Sequence, residues 1–188
     1  MTSIYDGKRP TALSAPVARE KRHQRKITVD GFLRADGLYD IEAELTDHKT
    51  YSFPSDFRGM VTPEQPVHHM HVRITIDNDL IVQSAEAVTL AGPYEICPAA
   101  NDVFAELTGL QIGPGWRRRM MAAIGGRHGC THITELMGPV ATIAYQTRYG
   151  EEARQRRESG QQLSDDDNQR ANAALRNSCV GYADDTAQ

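Results

Sequence analysis

Cysteine is scarce in this chain: Cys97, Cys130 and Cys179 are the only three in 188 residues. An odd number at wide spacing makes no disulfide framework, so thiols or ligands are expected. Long apolar runs are missing too. The longest cover a few residues, far below the roughly 20 that span a bilayer, and no apolar signal segment opens the chain. No membrane partner is expected, and the cytoplasm is the expected compartment. An excess of basic charge is also absent. The net charge of -4 argues against general nucleic-acid binding. Gly113-Pro114-Gly115 and Gly125-Gly126 are not followed by Gly-Lys-Ser/Thr, no GxGxxG follows a strand, and neither GxSxG nor CxxC occurs. Phosphate-loop, dinucleotide and serine-hydrolase chemistry are thereby set aside. What is present is an ordinary globular composition, with 39% hydrophobic and 24% charged residues, 15 Gly and 9 Pro. A chain of this length buries roughly 70% of its unfolded surface, enough for a real core.

The first 26 residues carry Lys8, Arg9, Arg19, Lys21, Arg22, Arg25 and Lys26 with few apolar residues, and read as a basic arm. From Ile27 the pattern alternates. Ile27, Val29 and Gly31 share one face; after the Asp36-Gly37 turn, Tyr39, Ile41, Ala43 and Leu45 alternate with Asp40, Glu42 and Glu44, as in a β-hairpin. A loop from Thr46 to Pro66 leads to a second strand pair, Val67 to Asp77 and Leu80 to Leu90. After Pro93 the period shifts to about 3.6. It predicts a helix from Pro98 to Leu107, a second from Pro114 to Ile124, and a long third from Thr131, bent at Pro139. Beyond Gly150 the chain is polar, with Ser164 placed to cap a short helix. The expected fold is α+β: an antiparallel sheet of about four strands covered by three C-terminal helices. The expected organisation is a basic arm over 1–26, one domain over 27–150, and a polar, partly helical tail over 151–188. A homodimer is expected if the helices leave the Ile27 and Val29 face uncovered.

Val67-His68-His69-Met70-His71-Val72-Arg73 puts three histidines and an arginine in one strand. Alternation sends His68 to the face of Met70, Val72, Ile74 and Ile76, and His69, His71 and Arg73 to the other. Histidines two apart on a strand suit a metal ion, and an arginine beside them suits a carboxylate or phenolate. The alternative is that two of the three are exposed or hydrogen-bonded strand residues. Cys130 and His132 stand at the start of the third helix, where backbone N–H groups and the helix dipole favour a thiolate or an anion. Glu135 is spaced to orient His132. The alternative there is a buried helix-cap cysteine with a surface His132. Cys97, beside Pro98, either shares a site with Cys130 or fills a small core position. Trp116 with Arg117, Arg118 and Arg119 either recognises an anion or forms an amphipathic helix with a solvated side.

Asp30 to Gly37, Ile41 to Asp47, Pro66-Val67-His68 with Arg73 to Asp77, Gly113 to Trp116, and Gly129 to His132 with Glu135-Leu136 together resemble the bacterial domain-of-unknown-function family 2889 (DUF2889). The resemblance runs from about residue 27 to Asn177-Ser178-Cys179. That family's pattern has Asp where this chain has His69, which favours a basic or ligand role there. A fainter similarity is to iron–sulfur scaffold proteins of the IscU and NifU type, in the order Arg73 to Leu90, Cys97 to Leu107 and Cys130 to Tyr149. It implies an α+β sandwich with Cys97 and Cys130 close together. The first ligand cysteine of those scaffolds has no equivalent near Gly92-Pro93.

Two functions are carried forward. One is an enzyme of acid–base chemistry on a small-molecule substrate. His68, His69 or His71 would transfer protons, Arg73, Trp116 and Arg117 would bind substrate, and Cys130 with His132 would stabilise charge. Relatives resembling the chain are typical of bacteria that degrade aromatic compounds, which suggests a lyase on a small phenolic compound, releasing formaldehyde or carbon dioxide. The other is a metal or iron–sulfur carrier using Cys97, Cys130 and His132. A cofactor is either absent or a metal ion. A partner-binding module using the basic arm is the third alternative.

Overall fold

The alternation of Tyr39 to Lys49 organises the fold. In the computed structural model of the chain, which describes residues 12–160, 176, 177, 182 and 183, this segment lies inside a four-stranded antiparallel sheet. The strands of that sheet are β1 (His23–Leu33), β2 (Tyr39–Lys49), β5 (His68–Ile76) and β6 (Val82–Ala91), in the order β1-β2-β5-β6. Two three-residue strands, β3 (Phe53–Ser55) and β4 (Gly59–Val61), form a separate ribbon. Lys8 and Arg9, the helix expected after Ser164, and Cys179 lie outside the described residues.

β1 begins inside the stretch read as a basic arm and pairs with β2 from His23 opposite Lys49 to Leu33 opposite Tyr39. Gly37, at φ 84°, takes the left-handed backbone of the connecting turn, which a side chain would disfavour. The region expected as one loop from Thr46 to Pro66 instead extends β2 to Lys49 and adds the β3–β4 ribbon. Strands of three residues are too short for a period to show.

One face of the sheet is apolar. Ile41, Leu45, Met70, Ile74 and Ile76 are fully buried there, under Phe104, Leu107, Leu136, Met137 and Val140. The three helices that cover it are α1 (Ala100–Val103), α2 (Trp116–Ile124) and α3 (Thr131–Glu158). The single helix expected from Pro98 to Leu107 is broken. Short 3-10 turns at Cys97–Ala99 and Phe104–Leu107 flank α1, and none of the three segments has a side-chain cap. α3 passes through Pro139 and runs eight residues beyond Gly150, into the polar stretch read as tail. Arg154 with Glu151 and Glu158, and Arg156 with Glu152, link successive turns there. α3 crosses β1 closely: a Cβ added at Gly31 would stand 2.0 Å from Thr147 Oγ1. Val29 packs on the core from the same strand. Val29 and Gly31 therefore lie on the covered face, while Ile27, further along the same strand, stays 39% exposed. The open face carries Thr28, Asp30, Glu42, Glu44, His71, Arg73 and Glu86 around a groove of about 310 Å³.

Candidate functional site

At one end of the covered face the apolar rows give way to charge. Ile27, Leu45 and Met70 form the last apolar row across β1, β2 and β5; the next inward-facing row is Arg25, Asp47 and His68. The first turn of α3 lies over it and supplies Cys130, His132 and Glu135. Asp47 is fully buried. Arg25 grips both carboxylate oxygens, Nε donating to Oδ1 at 2.8 Å and Nη2 to Oδ2 at 2.6 Å. His23 Nε2 lies 3.2 Å from Oδ1 and His68 Nδ1 3.0 Å from Oδ2. The remaining guanidinium nitrogen, Nη1, pairs with Glu135. Burial pushes the Asp47 carboxyl up, but Arg25 and then His23 outweigh it and hold the group far below the usual carboxylate range. Burial, and then the facing His132, push His68 below the ordinary imidazole value in spite of Asp47. His68 is thus neutral near pH 7, and Arg25 is the cation that keeps Asp47 ionised.

Because Asp47 only accepts, His68 donates through Nδ1 and presents Nε2 as a free lone pair. Its ring stacks on His132, with centroids 3.6 Å apart and planes 28° from parallel. His132 turns Nε2 toward Asp47 Oδ2 at 3.9 Å and Nδ1 toward Cys130 Sγ at 3.7 Å. Cys130 is the extended residue that caps α3. Burial raises its thiol pKa, but His132 and the backbone N–H groups of Ile133 and His132 more than offset this, and the net shift is downward.

The strand histidines divide as alternation requires, and so do not form one site. His69 and His71 point to the open face, where their Nε2 atoms lie 2.7 and 3.1 Å from Glu44 Oε1. Arg73 is held there between Glu42 at 2.7 Å and Glu86 at 2.8 Å. Trp116 is buried and donates Nε1–H to the Met137 carbonyl at 3.4 Å. Arg117 is exposed and lines a depression between α2 and α3 that also reaches Glu135. Neither residue is among the partners of the Asp47 cluster. Cys97 packs against Gly92 beyond the end of β6. Among the described residues, the clusters able to offer three ligand atoms are Asp47-His68-His132 and Glu44-His69-His71, and Cys97 is in neither.

Sequence reasoning passed over Arg25, Asp47, His23 and Glu44. Arg25 and Asp47 nevertheless had a signal: each is a charge in the inward phase of an alternating strand, in step with Ile27 and Leu45.

Fold and site together define an α+β protein with a buried carboxylate, three imidazoles and a thiol gathered where the sheet meets its longest helix. The chain belongs to the family described as protein of unknown function (DUF2889), whose family model matches residues 23–146. That span takes in both histidine clusters. Comparison with curated proteins and with solved structures finds no match, and the likeness to iron–sulfur scaffolds is not supported.

Proposed function

We propose that the chain is a lyase that acts on a small molecule by proton transfer at the Asp47 cluster. The observation that carries this reading is the Asp47–His68 hydrogen bond at 3.0 Å with His132 stacked on the same ring. A buried acceptor fixes the His68 tautomer, and a second proton-transfer group, itself beside a thiol, stands against it. His68 Nε2 takes the proton of a substrate hydroxyl. The bond between the hydroxyl-bearing carbon and its neighbour then breaks, and the hydroxyl carbon leaves as an aldehyde. The electron pair passes to the neighbouring carbon, which takes a proton from the His132–Cys130 side. For a hydroxymethyl group the aldehyde is formaldehyde; for a carboxylate the same bond cleavage gives carbon dioxide. A phenolic substrate is what the family resemblance suggests, and an aromatic ring next to the breaking bond spreads the developing charge. The carrier alternative draws less support, since Cys97 joins neither three-ligand cluster.

The test is turnover of hydroxymethyl-bearing phenolic compounds by the full chain, read as formaldehyde released, with His68→Gln beside the parent. A fall in kcat of roughly 10²- to 10⁴-fold is expected, with unchanged circular dichroism and melting. Parent-like turnover by the variant would overturn the assignment.

A further inference from the structure

The geometry points to a divalent metal site on the open face of the sheet, formed by Glu44, His69 and His71. It is separate from the Asp47 cluster and goes beyond the lyase reading. Glu44 lies opposite His71 across the β2–β5 pair, and His69 is two residues along the same face. Glu44 Oε1, His69 Nε2 and His71 Nε2 make a triangle with sides of 2.7, 3.0 and 3.1 Å.

Hydrogen bonding cannot account for all three sides. Each ring nitrogen carries either one proton or one lone pair, and the carboxylate only accepts. For the two nitrogens to bond to each other, one must be the acceptor, and that nitrogen then has no proton to give Glu44. At most two of the three contacts are hydrogen bonds in any tautomer. A cation explains all three. Imidazole and carboxylate donors bind such ions at about 2.0–2.2 Å, and adjacent donors around an octahedral ion at that radius stand about 3 Å apart. Two histidines and one carboxylate leave further coordination positions open, here toward the groove.

The surroundings favour the same assignment. The groove is lined by Asp30, Glu42, Glu44 and Glu86 against the single cation Arg73, a field that attracts a dication. The other three-ligand cluster lacks this property, because Arg25 occupies both oxygens of Asp47 with a fixed positive charge.

The test uses the full chain, stripped with chelator and titrated with Zn²⁺ by calorimetry. One equivalent is expected. Glu44→Gln and His71→Ala are each expected to weaken binding by tenfold or more, whereas His132→Ala leaves it within twofold. Because Zn²⁺ also suits thiolates, the parent's imidazole ¹⁵N resonances are followed, and Nε2 of His69 and His71 should shift. Failure to saturate at millimolar Zn²⁺ overturns the site. So does binding that survives both open-face variants, or shifts confined to His68 and His132. Glu44→Gln is nearly isosteric and the group is partly exposed, so its folded state is expected to persist. Should it unfold, the parent's resonances decide the matter alone.

Discussion

Asp47 owes its charge to Arg25 more than to the histidines around it. His68 is held neutral by burial and by His132, so the guanidinium is the counter-charge present at every ordinary pH. Removing the carboxylate strands Arg25 between a partly exposed Glu135 and the apolar row. Breaking a buried pair costs about 3–5 kcal/mol, and the one-third exposure of the Arg25 side chain places Asp47→Ala at about 3 kcal/mol. The pH dependence has a definite sign. The folded pKa lies below the unfolded value of about 3.9, so the carboxylate's contribution is complete above that value and is lost as pH falls through the folded one. Urea unfolding should separate parent and Asp47→Ala clearly at pH 7 and bring them together toward pH 2. Equal midpoints at pH 7 would show that the Arg25–Asp47 pair does not hold this end of the sheet.

Among the elements, β2 was readable from Tyr39 to Leu45, where one residue in two is apolar, and lost its signal beyond, where Asp47 and Lys49 take the inward phase; α3 was readable because its apolar stripe is long. The break-up of the Pro98 to Leu107 segment was not, since a helical period survives in 3-10 turns that still bury Phe104 and Leu107. The end of α3 was hidden for a different reason. Its last turns hold together by ion pairs along the helix and carry no apolar stripe. The seating of α3 on β1 was invisible, because it depends on Gly31 having no side chain. Alanine there would place Cβ 2.0 Å from Thr147 Oγ1 and 2.9 Å from its Cβ. Rotating the threonine relieves the first contact and leaves the second, so the helix must shift. Gly31→Ala is expected to destabilise by about 1–3 kcal/mol, although alanine otherwise suits a strand better than glycine. In a Thr147→Ala background part of that loss should disappear, with Oγ1 and Cγ2, and the part due to the 2.9 Å contact with Cβ should stay. Thermal melts of the four proteins measure the coupling, and a single variant melting at or above the parent would place α3 elsewhere.

At the scale of the whole molecule, one strand serves both faces of one sheet. The histidine-rich sequence of β5 reads as a single site, and the fold makes it two, because adjacent residues point in opposite directions. The side chains that complete each cluster come from strands and a helix far away in sequence, which is why Asp47, Arg25 and Glu44 escaped notice while His68 to His71 did not. This division makes a prediction that either cluster alone would not. A metal on Glu44, His69 and His71 lies across the sheet from Cys130, whose thiol pKa is lowered by His132 and the backbone N–H groups of Ile133 and His132. Saturating the chain with Ni²⁺, which suits imidazole, should therefore leave the alkylation rate of Cys130 by iodoacetamide within twofold of the metal-free rate, read by mass spectrometry of its own peptide. A metal on Asp47, His68 and His132 would instead draw His132 away from the sulfur and set a positive ion beside it, and would change that rate severalfold. An unchanged rate with metal bound keeps the two faces independent. A large change would merge them into one centre on the covered side.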